Sequence, residues 1–106
     1  MSQLESQIQF DCLVWLNQNG WFAFTIKTQG TYDEKTQNYR KGSVFAISGV
    51  ADVYAIKDGV GIWIEMKTER GVQSKAQLAF QKQIELKGGR YLLIRSLKEL
   101  KEVLGA

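Results

Sequence analysis

Two charged side chains share one face of an apolar strand near the middle of the chain. In the segment 62–67, IWIEMK, the isoleucines and the methionine point to one side, which we expect to be core, whereas Glu65 and Lys67 point to the other. Glu65 and Lys67 are then about 7 Å apart along the strand. A carboxylate beside an ammonium group could serve hydrolytic chemistry, but the same pair is also typical of a half-exposed strand.

Asp52 adds a second carboxylate to this region. It lies inside the mostly apolar segment 49–56, GVADVYAI, although Asp is disfavoured in strands and a buried carboxylate is costly unless it is paired or binds a metal. A hairpin turn at Asp58-Gly59 would place Asp52 across from the Glu65 region. Carboxylate oxygens that converge in this way suit Mg²⁺ or Mn²⁺. The alternative is that Asp52 is exposed on an edge strand.

Glu5 is unusual because it lies on the apolar face of the first predicted helix. At 100° per residue, Cys12 and Leu16 fall within about 20° of Glu5, and Ile8 falls within about 60°. A Glu near a helix start can simply favour the helix dipole. A carboxylate on the core side could equally reach a metal site on the sheet.

A fourth group of residues surrounds the start of a later helix. Ser74 and Gln77 have the spacing of a capping box. Arg70, Lys75 and the unpaired backbone N–H groups of a helix N-terminus form a common arrangement for binding phosphate. A basic pair on the surface explains the same residues, so both interpretations stay open.

Composition limits the chemistry that these residues could perform. The chain has 106 residues, no His and a single Cys, which excludes His-based triads, His general bases and a structural zinc site. Hydrolysis would have to use carboxylates, Lys, Tyr or a hard cation. The net charge of +3 is weak evidence for a polyanionic partner.

The same features indicate a cellular setting. Cys12 cannot form an internal disulfide, and the sequence contains neither an apolar run of the roughly 20 residues that span a bilayer nor a secretory leader. We therefore expect a reducing, cytoplasmic environment and no membrane association.

The elements that must position these residues follow from periodicity and from turn signals. The first helix is predicted over 2–17, with Leu4, Ile8, Cys12, Trp15 and Leu16 on its apolar face and a stop at Asn19-Gly20. Strands are predicted over 21–27, 50–56, 61–67 and 90–94. A second helix is predicted to begin at a Ser74 cap and to end near Lys87, where Gly88-Gly89 terminates it. A capping box of Ser96 and Glu99 begins the last helix, whose Leu97, Leu100, Val103 and Leu104 should face the core. Residues 28–43 lack periodicity and are predicted to form a long loop. This order implies a mixed sheet with helices packed on it.

Taken together, the pattern resembles a known nuclease family. Gly49-x-x-Asp52, then Glu65-x-Lys67, then Gly71, Ser74 and Gln77, with Glu5 on the first helix, are similar to the virus-type replication-repair nuclease (VRR-NUC) domain, a branch of the PD-(D/E)XK nuclease superfamily. The resemblance spans nearly the whole chain and implies a single α/β domain, 1–106, with a restriction-endonuclease-like core. Ala51 stands where the family often has Pro; that Pro would ligate nothing, so we expect activity to survive.

The resemblance implies a metal site. Asp52 and Glu65 would bind a divalent cation with the help of the backbone carbonyl of Met66. Glu5 would join through the water shell of the metal or through a second ion. The cofactor is expected to be Mg²⁺, with Mn²⁺ as a substitute.

It also implies catalytic roles for two further side chains. Lys67 would position or activate the attacking water and offset phosphate charge. Gln77 would orient water or the Lys67 side chain. Phosphodiester hydrolysis needs a nucleophilic water, an electrophilic metal and relief of charge on the leaving oxygen, and these residues supply each role without His.

The implied substrate is DNA. The family includes stand-alone phage proteins, which this chain resembles in length, and the nuclease domain of the Fanconi-associated repair nuclease. Similar small viral nucleases act as homodimers on branched DNA in the manner of Holliday-junction resolvases, so we expect a homodimer in a bacterial or phage-infected cell. Besides Arg70, Ser74 and Lys75, the candidates for contact with DNA or with a second protomer lie in the long loop: Tyr32, Tyr39, Arg40 and Lys41.

Two other functions fit the same residues. One is a nuclease-like fold that only binds nucleic acid, although such a protein has no reason to keep Asp52, Glu65 and Lys67. The other is a restriction-type enzyme that reads a duplex sequence, although 106 residues barely accommodate the recognition elements that it would need.

Overall fold

Three helices and a four-stranded mixed sheet form the body of the protein. The computed structural model describes residues 4–26, 31–33, 38–40 and 47–105. The helices in these ranges are α1 (Glu5–Gln18), α2 (Lys75–Leu86) and α3 (Leu97–Leu104). The strands are β1 (Phe22–Thr25), β2 (Thr31–Asp33), β3 (Asn38–Arg40), β4 (Val53–Lys57), β5 (Val60–Met66) and β6 (Arg90–Ile94).

The main sheet has the strand order β1-β4-β5-β6. β4 pairs antiparallel with both β1 and β5, whereas β6 runs parallel to β5. The turn between β4 and β5 has positive φ at Asp58 (51°) and Gly59 (79°), as a two-residue hairpin turn of type I′ requires. The predicted hairpin is therefore confirmed, and its register sets Val53 opposite Ile64.

One face of the sheet carries the larger core, beneath α1 and α3. Ile8, Cys12 and Leu16 of α1 are buried together with Leu100 of α3. Their partners from β5 are the residues predicted to face the core: Ile62, Ile64 and Met66. The opposite face of β5 and β6 packs under α2, where Phe80 meets Trp63 and Tyr91. Because helices cover both faces of β5, its one polar side chain, Glu65, is fully buried and not half-exposed.

Three local predictions differ from the structure. Val103 does not face the core, since 43% of its surface is exposed, whereas Leu100 one turn earlier is fully buried. Glu99 accepts a hydrogen bond from the backbone N–H of Arg95 rather than from that of Ser96, although the Ser96 hydroxyl does accept the N–H of Glu99 as predicted. Leu4 caps α1 and is 73% exposed instead of lying on its apolar face.

The segment 28–43 is not wholly irregular. It contains β2 and β3, which pair with each other antiparallel as a two-stranded sheet separate from the main one. Each strand has three residues, which is too short for alternation of apolar residues to be visible in the sequence. The rest of this segment, including Lys35 and Lys41, lies outside the described residues, as do the side chains of β2 and β3.

α1, the longest of the three helices in the described ranges, has 14 residues, fewer than the roughly 20 that a membrane-spanning helix needs.

Gly49 allows the chain to pass close to α2 just before β4 begins. Its φ of +78° lies in the left-handed region, and a Cβ at this position would overlap the backbone of Ala76 and Gln77 in the first turn of α2. Both constraints select Gly. This contact fixes the start of α2 against the segment that carries Asp52.

We predict that Gly49→Ala lowers the free energy of unfolding by about 2–4 kcal/mol, since it combines left-handed strain with overpacking. Urea unfolding followed by tryptophan fluorescence measures the change. Gly88→Ala is the matched control, because Gly88 has a similar φ of +82° but a Cβ added there would meet nothing within 4 Å. The control should cost only about 1 kcal/mol, and equal costs at the two sites would contradict the close approach at Gly49.

Candidate metal centre

Three carboxyl groups from three elements meet at one end of the sheet. Glu5 comes from the first turn of α1, Asp52 from the residue before β4, and Glu65 from the end of β5. One carboxylate oxygen of each lies within 4.8 Å of the others. The structure therefore brings together the three acidic residues singled out in the sequence, including Glu5, which is 47 positions from Asp52 in the chain.

The three groups form a series from solvent to interior. Glu5 is exposed, Asp52 is half-buried and Glu65 has an exposed fraction of 0%. α1 sets the position of Glu5, since Ile8 and Cys12 on the following turns pack into the core. The cluster is thus open to solvent at Glu5 and closed at Glu65.

The last residue of β5 holds the Asp52 side chain in place. The backbone N–H of Met66 donates a hydrogen bond of 3.1 Å to Asp52 Oδ2, so the aspartate side chain takes the ladder position next to the first backbone pair, Val53 with Ile64. The sequence predicted that β4 begins at residue 50. It begins at Val53, because the Asp52 side chain takes the place of a backbone partner for Met66. This bond also directs the Asp52 carboxyl group towards Glu65.

Glu65 lacks the partners that a buried carboxylate needs. Within the described part of the chain, neither Oε1 nor Oε2 of Glu65 has a hydrogen-bond partner. Burying a charged group without a compensating bond costs several kcal/mol, and such groups are usually paired or bound to a metal. The unpartnered oxygens of Glu65 lie beside two further carboxyl groups, which is the arrangement that a divalent cation would satisfy.

The electrostatics of the site favour a neutral Glu65 when no cation is bound. Burial raises the pKa of Glu65 from 4.5 to about 8. The neighbouring Asp52 carboxyl adds to the rise, as the acceptor of a hydrogen bond that only a protonated Glu65 could donate and through its like charge. Lys67 opposes the shift in the pKa of Glu65, and Glu5 makes a smaller contribution that raises it. Near neutral pH, a cation would therefore have to displace a proton from this group.

The donor set fits a hard cation. All three groups are carboxylates, and oxygen ligands are those that Mg²⁺ and Mn²⁺ prefer. The open side next to Glu5 leaves room for water, which Mg²⁺ usually retains when it binds protein. The residues present therefore fit the divalent metal that the sequence predicted.

Lys67 follows directly on β5 and lies at the same end of the sheet. Its backbone N–H donates to Ile94 O at 3.0 Å, which keeps it in line with β6. The side chain is half-buried, and its Cδ lies 3.4 Å from where a Cβ of Gly71 would stand. The turn 68–71 therefore packs along the Lys67 stem.

Arg95 holds that turn in place, a role that the sequence did not reveal. Its Nη1 donates hydrogen bonds to the carbonyl oxygens of Thr68 (2.6 Å), Glu69 (3.2 Å) and Gly71 (2.7 Å). One guanidinium group thus ties the end of β6 to the segment that links Lys67 with α2. The only available signal was an arginine placed directly after an apolar strand.

Gln77 forms the capping box of α2. Its Oε1 accepts from Ser74 N at 2.8 Å, and its own N–H donates to the Ser74 hydroxyl at 3.1 Å. The capping interpretation is confirmed, while a catalytic role for Gln77 stays a prediction. Arg70 and Lys75 are exposed on either side of this cap.

A network of polar side chains under α2 was not predicted from the sequence. Gln73 Nε2 donates to Gln81 Oε1 at 3.0 Å and to the hydroxyl oxygen of Tyr91 at 3.1 Å. Burial raises the pKa of the Tyr91 hydroxyl to about 12. The network ties the segment before α2 to the middle of that helix and to β6.

The structure does not test the DNA or protomer contacts that were predicted for the segment 28–43. Tyr39 and Arg40 belong to β3 and Tyr32 to β2, but their side chains lie outside the described residues, as does all of Lys41. Their proposed contacts with DNA or with a second protomer stay predictions.

A comparison with solved structures identifies the fold. A structure described as a VRR_NUC domain superposes with a TM-score of 0.70 at 19% sequence identity, covering 95% of this chain and 94% of the other. No protein-family model matches the sequence, and no curated protein matches it. The likeness confirms the resemblance at the level of structure: this chain has the restriction-endonuclease-like fold of a VRR_NUC domain.

The raised pKa of Glu65 predicts how stability depends on pH. In EDTA, its contribution is complete below pH 4.5, the ordinary value, and is lost as pH rises towards and through 8. Between pH 5 and pH 8, wild type should therefore lose on the order of 2–4 kcal/mol of unfolding free energy relative to Glu65→Gln.

Urea unfolding at both pH values measures this difference, with the exposed Glu102→Gln as the matched control. Millimolar Mn²⁺ should restore the stability of wild type at pH 8 and have little effect on Glu65→Gln. Parallel pH profiles for wild type and Glu65→Gln would show that the Glu65 pKa is not raised.

The bonds of Arg95 predict a local effect. Arg95→Ala should lower the free energy of unfolding by about 2–3 kcal/mol, because it removes the charged donor that the carbonyl groups of Thr68, Glu69 and Gly71 share. The Gly71 N–H, which bonds to Thr68 O at 3.1 Å, should exchange faster with deuterium. Arg90→Ala, at an exposed residue that begins β6, is the control; equal effects at the two arginines would argue against the role of Arg95.

Proposed function

We propose that this chain is a metal-dependent nuclease that hydrolyses phosphodiester bonds of DNA at the centre formed by Glu5, Asp52 and Glu65. The observation that carries the proposal is the buried Glu65 carboxylate, whose two oxygens lack hydrogen-bond partners among the described residues. It lies within 4.8 Å of two other carboxylates. The VRR_NUC fold supports the proposal, since it is the fold of a nuclease domain.

Asp52 and Glu65 would hold the cation, with Glu5 acting on it from the solvent side. Met66 donates its N–H to Asp52, and the N–H and C=O of one strand residue point towards the same neighbouring strand. This favours the predicted role of the Met66 carbonyl as a further ligand. A bound Mg²⁺ or Mn²⁺ would supply a Lewis acid for the phosphate and lower the pKa of a bound water.

Lys67 would act on the substrate rather than on the metal. Its ammonium group offsets the charge of the phosphate and orients the attacking water, and the turn held by Arg95 limits the positions that its stem can reach. Gln77 would complete this side of the site from the first turn of α2. Neither role requires a histidine.

The exposed start of α2 would bind the phosphates next to the cleaved bond. Arg70 and Lys75 flank the capping Ser74, and all three are exposed. Positive side chains beside a helix N-terminus attract phosphate. Tyr39, Arg40 and Lys41 are proposed to extend this contact.

We further propose that the substrate is branched DNA and that the protein acts on it as a homodimer, as a Holliday-junction resolvase does. Symmetric cutting of two strands requires two centres related by a two-fold axis. The lone Cys12, which is buried and unpaired, is consistent with action in the cytoplasm of a bacterial or phage-infected cell.

Cleavage assays test the nuclease proposal. Wild type should cut a synthetic four-way junction in Mg²⁺ or Mn²⁺, and EDTA should abolish the reaction. Asp52→Asn, Glu65→Gln and Lys67→Met should each reduce the rate on the order of a hundredfold or more. The first two remove charges that hold the cation, and the third removes positive charge that stabilises the transition state.

Matched controls separate the centre from surface charge. Asp58→Asn and Glu102→Gln alter exposed acidic residues and should leave the rate within about twofold of wild type. A matched linear duplex and light scattering, run beside the junction, test the branched substrate and the homodimer. Wild type that binds DNA without cutting any substrate, or Asp52→Asn that cuts as fast as wild type, would exclude the proposed activity.

A further inference from the structure

Two positive side chains leave adjacent strands at the end of the sheet that carries the metal centre. Lys67 directly follows β5 and Arg95 directly follows β6, and these strands run parallel with Met66 opposite Ile94. The N–H of Lys67 continues the ladder by donating to Ile94 O. Lys67 and Arg95 therefore lie side by side in the register of the sheet, but their partners differ.

Arg95 directs its charge at the backbone of the turn 68–71. Its Nη1 lies between 2.6 and 3.2 Å from the carbonyl oxygens of Thr68, Glu69 and Gly71. Carbonyl dipoles that converge on one point repel one another unless a cation lies between them, and hydrogen bonds from a charged donor are stronger than neutral ones. The conformation of this turn therefore depends on the guanidinium group.

Lys67 carries its charge on a flexible stem of four carbon atoms. The ammonium group acts on the metal centre, since its charge opposes the rise in the pKa of Glu65. A stem of this kind can adopt many conformations. The groups that pack against the stem therefore decide where the ammonium group lies.

Gly71 brings the turn against the Lys67 stem. A Cβ at Gly71 would lie 3.4 Å from Lys67 Cδ and 3.2 Å from Thr68 Oγ1, so a side chain here would press on the stem or on the Thr68 hydroxyl. The Gly71 N–H closes the turn with a bond of 3.1 Å to Thr68 O. The absence of a side chain at this position thus allows the turn and the lysine to pack closely.

We propose that Arg95 and Gly71 are positioning residues for Lys67: the guanidinium group holds the turn 68–71, and the turn holds the lysine stem so that its ammonium group faces the phosphodiester at the metal centre. This inference rests on the proposed nuclease function. It gives a role in the reaction to an arginine that need contact neither the DNA nor the metal. A displacement of about 1 Å at a reacting group costs on the order of a hundredfold in rate, so the loss should fall on the cleavage step and not on binding.

Single-turnover cleavage separates positioning from binding. With protein in excess over whichever DNA wild type cuts fastest, in Mn²⁺, Arg95→Ala should lower the cleavage rate at saturation on the order of tenfold or more. The half-saturating protein concentration, and the Mn²⁺ affinity measured by calorimetry, should change by less than about twofold. Arg95→Lys should recover part of the rate, because an ammonium group can donate to the same carbonyl groups. Circular dichroism at the assay temperature establishes that each variant is folded.

Gly71→Ala tests the same contact without removing a charged donor. It keeps the carbonyl acceptors of Arg95 but places a methyl group against the Lys67 stem, and should lower the cleavage rate severalfold with little effect on DNA or Mn²⁺ binding. Arg90→Ala alters an exposed arginine at the opposite end of β6. It is the matched control and should cut like wild type.

A double-mutant cycle shows whether Arg95 acts through Lys67. If it does, adding Arg95→Ala to Lys67→Met should slow the residual cleavage by less than about twofold, because the group that Arg95 positions is already absent. A substitution that only loosened the fold would slow wild type and Lys67→Met by the same factor. Equal factors in the two backgrounds would therefore overturn the proposal.

The Lys67 stem can also be observed when no DNA is cut. In protein with ¹³C-labelled lysine, the NMR order parameter of Lys67 Cε should fall in Arg95→Ala and stay unchanged in Arg90→Ala. If wild type cuts no DNA but this difference is seen, the nuclease proposal fails and the restraint of Lys67 by Arg95 stands. If wild type cuts DNA and Arg95→Ala cuts it as fast, the nuclease proposal stands and the positioning role fails.

Discussion

The structure depends on one costly feature: the Glu65 carboxylate is fully buried and its oxygens have no hydrogen-bond partner among the described residues. A charge in this position is stable only with a counter-charge, and otherwise it takes up a proton. Asp52 and Glu5 cannot supply that counter-charge, because they carry the same sign. Lys67 is the cation nearest in sequence, and it only partly offsets the effect of burial on the Glu65 pKa. The arrangement is therefore unfavourable for an empty charged site and favourable for one that receives a divalent cation.

The rest of the fold keeps this cluster in register. A slip of one residue between β4 and β5 would turn Glu65 towards the core formed by Ile62 and Ile64. The type I′ turn at Asp58-Gly59 sets the register at one end of the hairpin. The hydrogen bond from Met66 N–H to Asp52 Oδ2 sets the register at the other end. Asp52, one of the three clustered carboxylates, therefore also ends the pairing of β4 with β5.

Local signals in the sequence were sufficient for much of this architecture. Asp58-Gly59 and the Ser74–Gln77 capping box act over two to four residues, and counting back from the turn was enough to bring Asp52 opposite Glu65. The role of Arg95 could not be found in this way, because its three carbonyl partners lie 24 to 27 residues earlier in the chain. The aromatic row, in which Phe24, Tyr54, Trp63 and Tyr91 lie side by side on four strands, depends on β6 pairing parallel to β5. The sequence does not specify which residues of two distant strands lie side by side. Val103 was placed in the core by helical spacing alone, although a short helix at the edge of a domain buries only part of its apolar stripe.

The metal centre and the aromatic row are two consequences of the same strand geometry. Alternation along β5 puts Trp63 and Glu65 on one face and Ile64 and Met66 on the other. The backbone thus separates the Glu65 carboxyl group from the aliphatic core. α2 covers only part of the face that carries Trp63 and Glu65, and so divides it into a buried and an exposed half. Over β5 and β6 the helix buries Phe80 against Tyr91 and stabilises the domain, whereas over β1 and β4 the rings remain open. Aliphatic side chains would have served the buried half equally well, but at the exposed edge a large apolar surface carries a cost in solubility. The same strand alternation thus fixes both the position of the three converging carboxylates and the boundary between the covered and the open part of this face.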